Sequence, residues 1–288
     1  MTDGFVNILK PSGFTSSDMV VTVRKILSDR LRQKIKVGHL GTLDPAGAGV
    51  LPIAAGSATK LFDYLVFKQK TYVAGLVLGA ATDTLDSYGR ITERKDKLFS
   101  INDIDRVLNR FIGEIEQIPP QYSALKIGGK KAYDLAREGI NADLKARKIT
   151  IYELSAAETD KPNHFDLTVT CSGGTYMRSL VRDIANALNT AGYMSYIVRT
   201  KALFDIKDSL TLDVFKANPV ESIIPVKEVL MPLYPFFELP ESYEKAALNG
   251  VKTTINGMPQ GIFVLTLRDK IVGMAENIDG KLVIGNRL

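Results

Sequence analysis

The chain has 288 residues, 45% hydrophobic and 24% charged, with a net charge of +5, enough for one large domain and a small one. The lone Cys171 excludes an internal disulfide, no apolar run reaches membrane-spanning length and no N-terminal signal stretch is apparent, so a cytoplasmic protein with no membrane attachment is expected. Two widely spaced histidines and one cysteine exclude a His/Cys metal cluster, so no metal is expected, and a pI near 9.1 suits a polyanionic partner without identifying one.

In chain order, Thr15-Ser16-Ser17-Asp18 has the form of a capping box with Asp in place of Glu. Met19, Val23, Ile26, Leu27 and Leu31 follow at helical spacing, which predicts a helix from near Ser16. Strands are predicted near 5–9, 72–78, 148–154 and 165–171, the last from the alternation of Phe165, Leu167, Val169 and Cys171 with polar residues. Ile104, Val107, Leu108 and Phe111 mark another helix, and a shorter one covers about 132–137 with Gly139 at its end. Beyond Gly173-Gly174 the run Met177, Leu180, Val181, Ile184 and Leu188 predicts a helix, with Gly192 as its C-cap.

Pro225, Pro232, Pro235 and Pro240 deny helix and central-strand geometry, which places a boundary near 232. Residues 1–232 are read as the catalytic domain and 233–288 as a small, mostly β domain. Its short helical stretch ends at Asn249-Gly250, and its strands, from Ile262 to Ile284, turn at Arg268-Asp269-Lys270 and Asp279-Gly280. The expected class is α+β, with a mixed, mainly antiparallel sheet flanked by helices.

The segment Gly38-His39-Leu40-Gly41-Thr42-Leu43-Asp44-Pro45 sets one carboxylate on a glycine-rich stretch, with Pro45 fixing φ behind it. Asp44 reads either as the N-cap of a helix or as an aimed group on a rigid loop. Gly47, Gly49 and Pro52 count against a helix. Arg178 falls in the first helical turn, where the macrodipole disfavours a cation, so a specific anionic partner and a surface role both stay open. For Tyr72 and Tyr176, core packing is the alternative to a pocket wall, and His39 alone reads as structural.

Five ordered blocks carry a resemblance. They are Gly38 to Lys60 (GHLGTLDPAGAGVLPIAAGSATK) preceded by Lys10-Pro11-Ser12-Gly13-Phe14-Thr15-Ser16, Lys70-Thr71-Tyr72, Leu78 to Gly89 (LGAATDTLDSYG), Pro119 to Lys126 (PPQYSALK) and Cys171 to Arg178 (CSGGTYMR). The chain resembles the TruB-type tRNA pseudouridine synthases. That resemblance implies a pseudouridine synthase fold with a PUA-like C-terminal domain that binds RNA. It implies isomerisation of uridine 55 in the tRNA T arm by base flipping, with no cofactor, no protein partner and a monomeric enzyme, and it leaves room for a tRNA-folding chaperone role.

By the same resemblance Asp44 is the nucleophile, a buried carboxylate kept ionised by Arg178. Tyr72 stacks on the uracil and is a candidate general base, Tyr176 and Ile197 line the nucleoside pocket, and His39 stacks with the RNA. Lys10, Lys126, Lys130, Lys131 and Arg137 are expected phosphate contacts, the last four in an RNA-gripping segment. One departure stands out. Where the family commonly has Leu-Arg-Arg-Thr and a nearby glycine, this chain has Ile197-Val198-Arg199-Thr200-Lys201-Ala202-Leu203. The missing arginine removes an expected RNA contact, and the missing glycine is expected to alter the next turn.

Overall fold

The computed structural model describes residues 3–66, 69–123, 125–140, 142–251 and 253–288. Its first half runs β1 (Gly4–Lys10), α1 (Ser16–Leu31), β2 (Val37–His39), β3 (Ala48–Ala55), α2 (Phe62–Leu65), β4 (Lys70–Leu78), β5 (Ala80–Thr82), β6 (Ile91–Arg94), α3 (Ile101–Leu108) and β7 (Gly113–Gln117). Next come β8 (Lys126–Ile127), β9 (Lys130–Lys131), α4 (Ala132–Arg137), β10 (Arg147–Glu158), β11 (His164–Cys171), α5 (Met177–Ala187), β12 (Gly192–Lys201), α6 (Leu212–Ala217), β13 (Ile224–Pro225) and α7 (Val226–Leu230). The tail holds β14 (Phe236–Glu238), α8 (Glu244–Leu248), β15 (Thr253–Thr254), β16 (Gly261–Leu267), β17 (Lys270–Ile278) and β18 (Lys281–Arg287).

The main sheet has the order β13-β1-β3-β12-β4-β11-β10-β7, with β2 against β3. Every pairing in it is antiparallel except β3 with β12, where Ala48 and Gly49 face Val198 and Arg199. The expected α+β class, mixed and mainly antiparallel, is what forms. Helix α1 starts as expected: Thr15 accepts from the Asp18 amide, and the Asp18 carboxylate accepts from the Thr15 amide at 2.7 Å. Its Met19, Val23 and Leu27 pack on Val6, Ile8, Leu51 and Ile53 of β1 and β3. Helices α3 and α5 bury Ile104, Leu180 and Ile184 against Leu76, Leu167 and Val169.

Two strands at the centre were not expected. In β3, Pro52 sits between the residues bonded to β12 and those bonded to β2, where its missing N–H matters least, and its carbonyl accepts from Leu40 at 2.9 Å. In β12 the register shifts between Met194 and Ile197 and again between Arg199 and Lys201, which hides the period-two pattern. Gly192 is also not a helix cap. Asn189 takes the left-handed position after α5, with φ 54°, while Gly192 opens β12 where a Cβ would come within 2.6 Å of Ala185.

The tail sheet, β14-β16-β17-β18-β15, turns at Arg268-Asp269 and Asp279-Gly280, all four residues at positive φ as two-residue hairpins require. Its Val264 and Met274 share a cluster with Leu61, Leu65, Val229 and Leu230. Lys60 and the Tyr64 carbonyl add hydrogen bonds to Arg287 and Tyr234 at 2.7 and 2.6 Å.

Candidate active site

Asp44 lies on a loop between β2 and β3, closed by a turn in which the Gly47 amide donates to the Asp44 carbonyl at 2.9 Å. The capping alternative is excluded. Two buried cations hold this loop from below. The Arg199 guanidinium donates to the carbonyls of Thr42, Gly41 and Val50 at 3.2, 3.1 and 2.7 Å. The Lys10 ammonium donates to Pro11 and Pro45 at 2.9 and 3.4 Å, and also to the Gly47 carbonyl. The Ser16 hydroxyl exchanges two hydrogen bonds of 2.9 Å with the Leu43 backbone. Gly49, at φ 108°, lets the start of β3 lie close against β12, since a Cβ there would fall 2.2 Å from the Arg199 carbonyl.

Lys10 is therefore not a phosphate contact, as its side chain is fully buried beneath the loop. Burial lowers its pKa to about 8, against the opposing pull of Asp44. The missing arginine also acquires a reading. Val198 alternates away from Ile197 and Arg199, so the family's extra arginine would leave β12 on the face opposite the cleft. No described residue from 201 to 205 has positive φ, so the turn after β12 needs no glycine.

Arg178, in the first turn of α5, is 8% exposed and donates to Asp44 Oδ2 at 2.9 Å. It also donates to the carbonyls of Thr84 and Tyr122 at 3.2 and 2.9 Å and lies 3.6 Å from Asp86 Oδ2. The surface-arginine alternative fails. Asp44 itself is 49% exposed, which corrects the expected buried carboxylate: its loop is packed from below, but the side chain opens onto the cleft. Asp86, 15% exposed, is anchored by the Thr84 hydroxyl at 2.6 Å and the Tyr88 amide at 3.1 Å. It was missed from sequence although it stands inside the TDTLDSYG block, because nothing local links it to residues 44 and 178.

The cleft beside this pair has a volume of about 320 Å³, and its walls include Asp44, Arg178, Tyr72, Tyr176, Ile197 and His39. These six residues come from β2, β4, β12, α5 and its N-cap, and the Asp44 loop. Tyr72 is nearly buried, and burial raises its pKa, with Arg199 opposing. Burial, then Arg199, lowers the pKa of His39, whose Nδ1 has no partner among the described residues. Tyr176 is fixed by Gln117, another residue missed from sequence, which donates to its carbonyl at 3.1 Å and accepts from its amide at 2.8 Å. Lys126, Lys130, Lys131 and Arg137 belong to the β8-β9 hairpin and α4 by their backbones, and their side chains lie outside the described residues.

Residues 24–177 match the TruB family pseudouridylate synthase N-terminal domain. The chain is 41% identical to a tRNA pseudouridine synthase B of Clostridium kluyveri over 98% of its own length and 94% of the relative's. Against the protein of the same name from Caldanaerobacter subterraneus subsp. tengcongensis the identity is 44%, covering 88% of each chain. Among solved structures, the crystal structure of a Cbf5-Nop10-Gar1 complex aligns with a TM-score of 0.70 and 25% identity, covering 96% of this chain and 78% of that one. An archaeal box H/ACA sRNP Nop10-Cbf5 complex, at TM-score 0.69 and 22% identity, shares the fold. The chain belongs to the TruB family of pseudouridylate synthases and is an isomerase.

Proposed function

We propose that the protein converts uridine 55 in the T arm of tRNA to pseudouridine, with Asp44 as the nucleophile. The observation that carries this reading is the Asp44–Arg178 pair: an open carboxylate aimed into a cleft by a buried guanidinium that is itself tied to two carbonyls. In the reaction, Asp44 bonds to C1′ as the C1′–N1 bond breaks and its electron pair stays with the base. The uracil turns, C5 bonds to C1′, the carboxylate leaves, the C5 proton is removed and N1 takes one up. Arg178 orients the carboxylate through its hydrogen bond to Oδ2. Tyr72 offers the flipped base a ring to stack on and is the candidate general base, and Tyr176, Ile197 and His39 complete the walls of the cleft.

A guide-RNA particle is the competing setting, favoured by the likeness to the Cbf5 complexes. The higher identity to proteins named for action on tRNA favours the free enzyme. All the proposed groups come from one chain, which supports action as a monomer. Residues 1–232 carry the chemistry and 233–288 a PUA-like grip on RNA. Refolding of tRNA uses the same binding surface and needs no carboxylate, so Asp44→Asn is expected to retain it.

The test is to incubate unmodified tRNA with purified protein and map pseudouridine. The expected result is modification at position 55 by the wild type and none by Asp44→Asn, with RNA affinity kept within roughly tenfold because phosphate and stacking contacts remain. Turnover by an Asn preparation free of deamidated protein would sink the nucleophile assignment, and modification elsewhere would sink the T-arm assignment.

A further inference from the structure

We propose that Lys70 is a further catalytic residue, whose ammonium stabilises the uracil while it is detached and negatively charged. This rests on the pseudouridine synthase reading and deepens it. When the C1′–N1 bond breaks with its electron pair on the base, the charge spreads over N1, O2 and O4 until C5 is bonded to C1′. Asp44 answers the electron demand at C1′, and the base needs a cation of its own.

The two arginines at the cleft, Arg178 and Arg199, are already engaged. Arg178 donates to Asp44 and to two carbonyls, and Arg199 donates to three carbonyls under the Asp44 loop. Lys70 stands two residues from Tyr72 on the same face of β4, lines the cleft and is 9% exposed. Its Nζ makes one hydrogen bond, to the Val66 carbonyl at 2.9 Å, and has no carboxylate partner among the described residues. It reaches the Gly41 turn, where a Cβ would touch both Cε and Nζ at 3.6 Å.

The groups acting on it are Arg199 from β12 and the Cys171 thiol from β11, with no ionisable side chain from Val66 or the Gly41 turn. Burial first, then Arg199, lowers its pKa to about 8. An uncompensated buried ammonium is stabilised by an anion that arrives beside it, and the detached base is such an anion. Ser123, which also lines the cleft, likewise has a buried hydroxyl with no partner among the described residues, as expected of a cleft completed by a polar ligand.

The experiment measures hairpin affinity, single-turnover rate at saturating T-arm hairpin and the pH profile of kcat/KM for the wild type, Lys70→Met and Lys70→Arg. The expected result for Lys70→Met is affinity within about threefold and a rate lower by the order of 10²–10³-fold, as for loss of one charge-stabilising donor. Lys70→Arg should keep the rate within about tenfold and lose the wild-type fall in kcat/KM above about pH 8, because its guanidinium stays charged. Lys10, whose pKa is also about 8, is present in both proteins, so a fall that persists unchanged in Lys70→Arg belongs elsewhere and overturns the proposal. Weakened binding with an undiminished saturated rate overturns it too, since Lys70 would then be a ground-state phosphate contact. If Lys70→Met does not fold, the Lys70→Arg profile decides alone. Absence of pseudouridine from the wild-type reaction would instead remove the reading on which this proposal stands.

Discussion

The floor of the cleft and the tail sheet both carry arginines, and they use them in opposite ways. Arg199 is fully buried and donates to three backbone carbonyls, whereas Arg268 is 59% exposed and pairs with Glu241 and Glu244 at 2.9 and 2.7 Å. A surface pair contributes about 0–1 kcal/mol, while a buried acceptor stripped of its donor costs about 1–3 kcal/mol. The floor is thus held by polar contacts that are expensive to remove, and the tail by its apolar cluster of Leu239, Phe263, Leu265 and Ala275 with hairpin turns at its ends. The proposed nucleophile, Asp44, belongs to the region held by buried donors.

The sharpest break of this contrast is Arg178→Met. It leaves Asp44 and Asp86 without their shared cation and should lower the saturated single-turnover rate by the order of 10²–10³-fold. A rate within a few-fold of wild type would show that the carboxylate needs no such partner. Next comes Arg199→Met, expected to lower the denaturation midpoint and the rate together, because three carbonyls lose their donor and the Asp44 loop loses its support. Arg268→Ala in the tail is the control, with stability changed by about 1 kcal/mol or less. Equal losses in the two variants would erase the distinction between the regions.

Much of this floor was legible in the sequence, and the reasons for the gaps are specific. The capping box at Thr15, the loop around Asp44 and the Arg178 partner are local patterns or parts of motif blocks, and all fall where expected. Asp86 and Gln117 were missed because Arg178 and Tyr176, which they meet at the cleft, lie far along the chain and reach them only through the fold. Lys10 was misread since a lysine is by default a solvated charge. Only the course of β1 beneath the Asp44 turn makes it an internal donor. Arg199 and Val198 could not be told apart until β12 was known to be a strand, after which their opposite faces follow from its alternation.

Acid–base behaviour offers a finer test of the floor. Lys10 and Lys70 have pKa values of about 8 in the folded protein against an ordinary 10.5, so between these limits the unfolded chain binds more protons. Their contribution to stability therefore rises with pH across that window, is complete above 10.5 and is lost as pH falls through about 8. Tyr72, Tyr196 and Cys171 have raised pKa values and act in the opposite sense at higher pH, so the informative range is pH 8 to 9. Denaturation midpoints measured there should rise with pH in the wild type and rise less in Lys10→Met. An identical slope in both would mean that Lys10 carries no buried charge.

Tyr72 separates ring from hydroxyl. Tyr72→Leu should weaken hairpin binding by the stacking contribution of about 1–3 kcal/mol, and Tyr72→Phe should bind normally. If the hydroxyl moves the C5 proton, Phe also leaves the base joined through C5 but unresolved on the enzyme. Full activity of both variants would return Tyr72 to a packing role.

The smallest effect is expected in the tail. Cutting the chain after Met231 is a blunt probe, because it would uncover Leu61, Leu65, Val229 and Leu230 and confuse lost grip with lost folding. Charge removal is cleaner. Lys270 and Lys281 are exposed at the starts of β17 and β18 and take part in no ion pair among the described residues, so Lys270→Gln with Lys281→Gln leaves the apolar cluster and the Arg268 pairs in place. If residues 233–288 grip tRNA, each lost phosphate contact lowers the slope of log affinity against log salt by about 0.7–0.9. Affinity for full-length tRNA should fall by roughly tenfold or less, and the saturated rate on an isolated T-arm hairpin should not change. An unchanged salt slope would remove these two lysines from the RNA interface. A reduced saturated rate would mean that the tail reaches the chemistry, and that the rigid floor and the β tail do not divide the work between them.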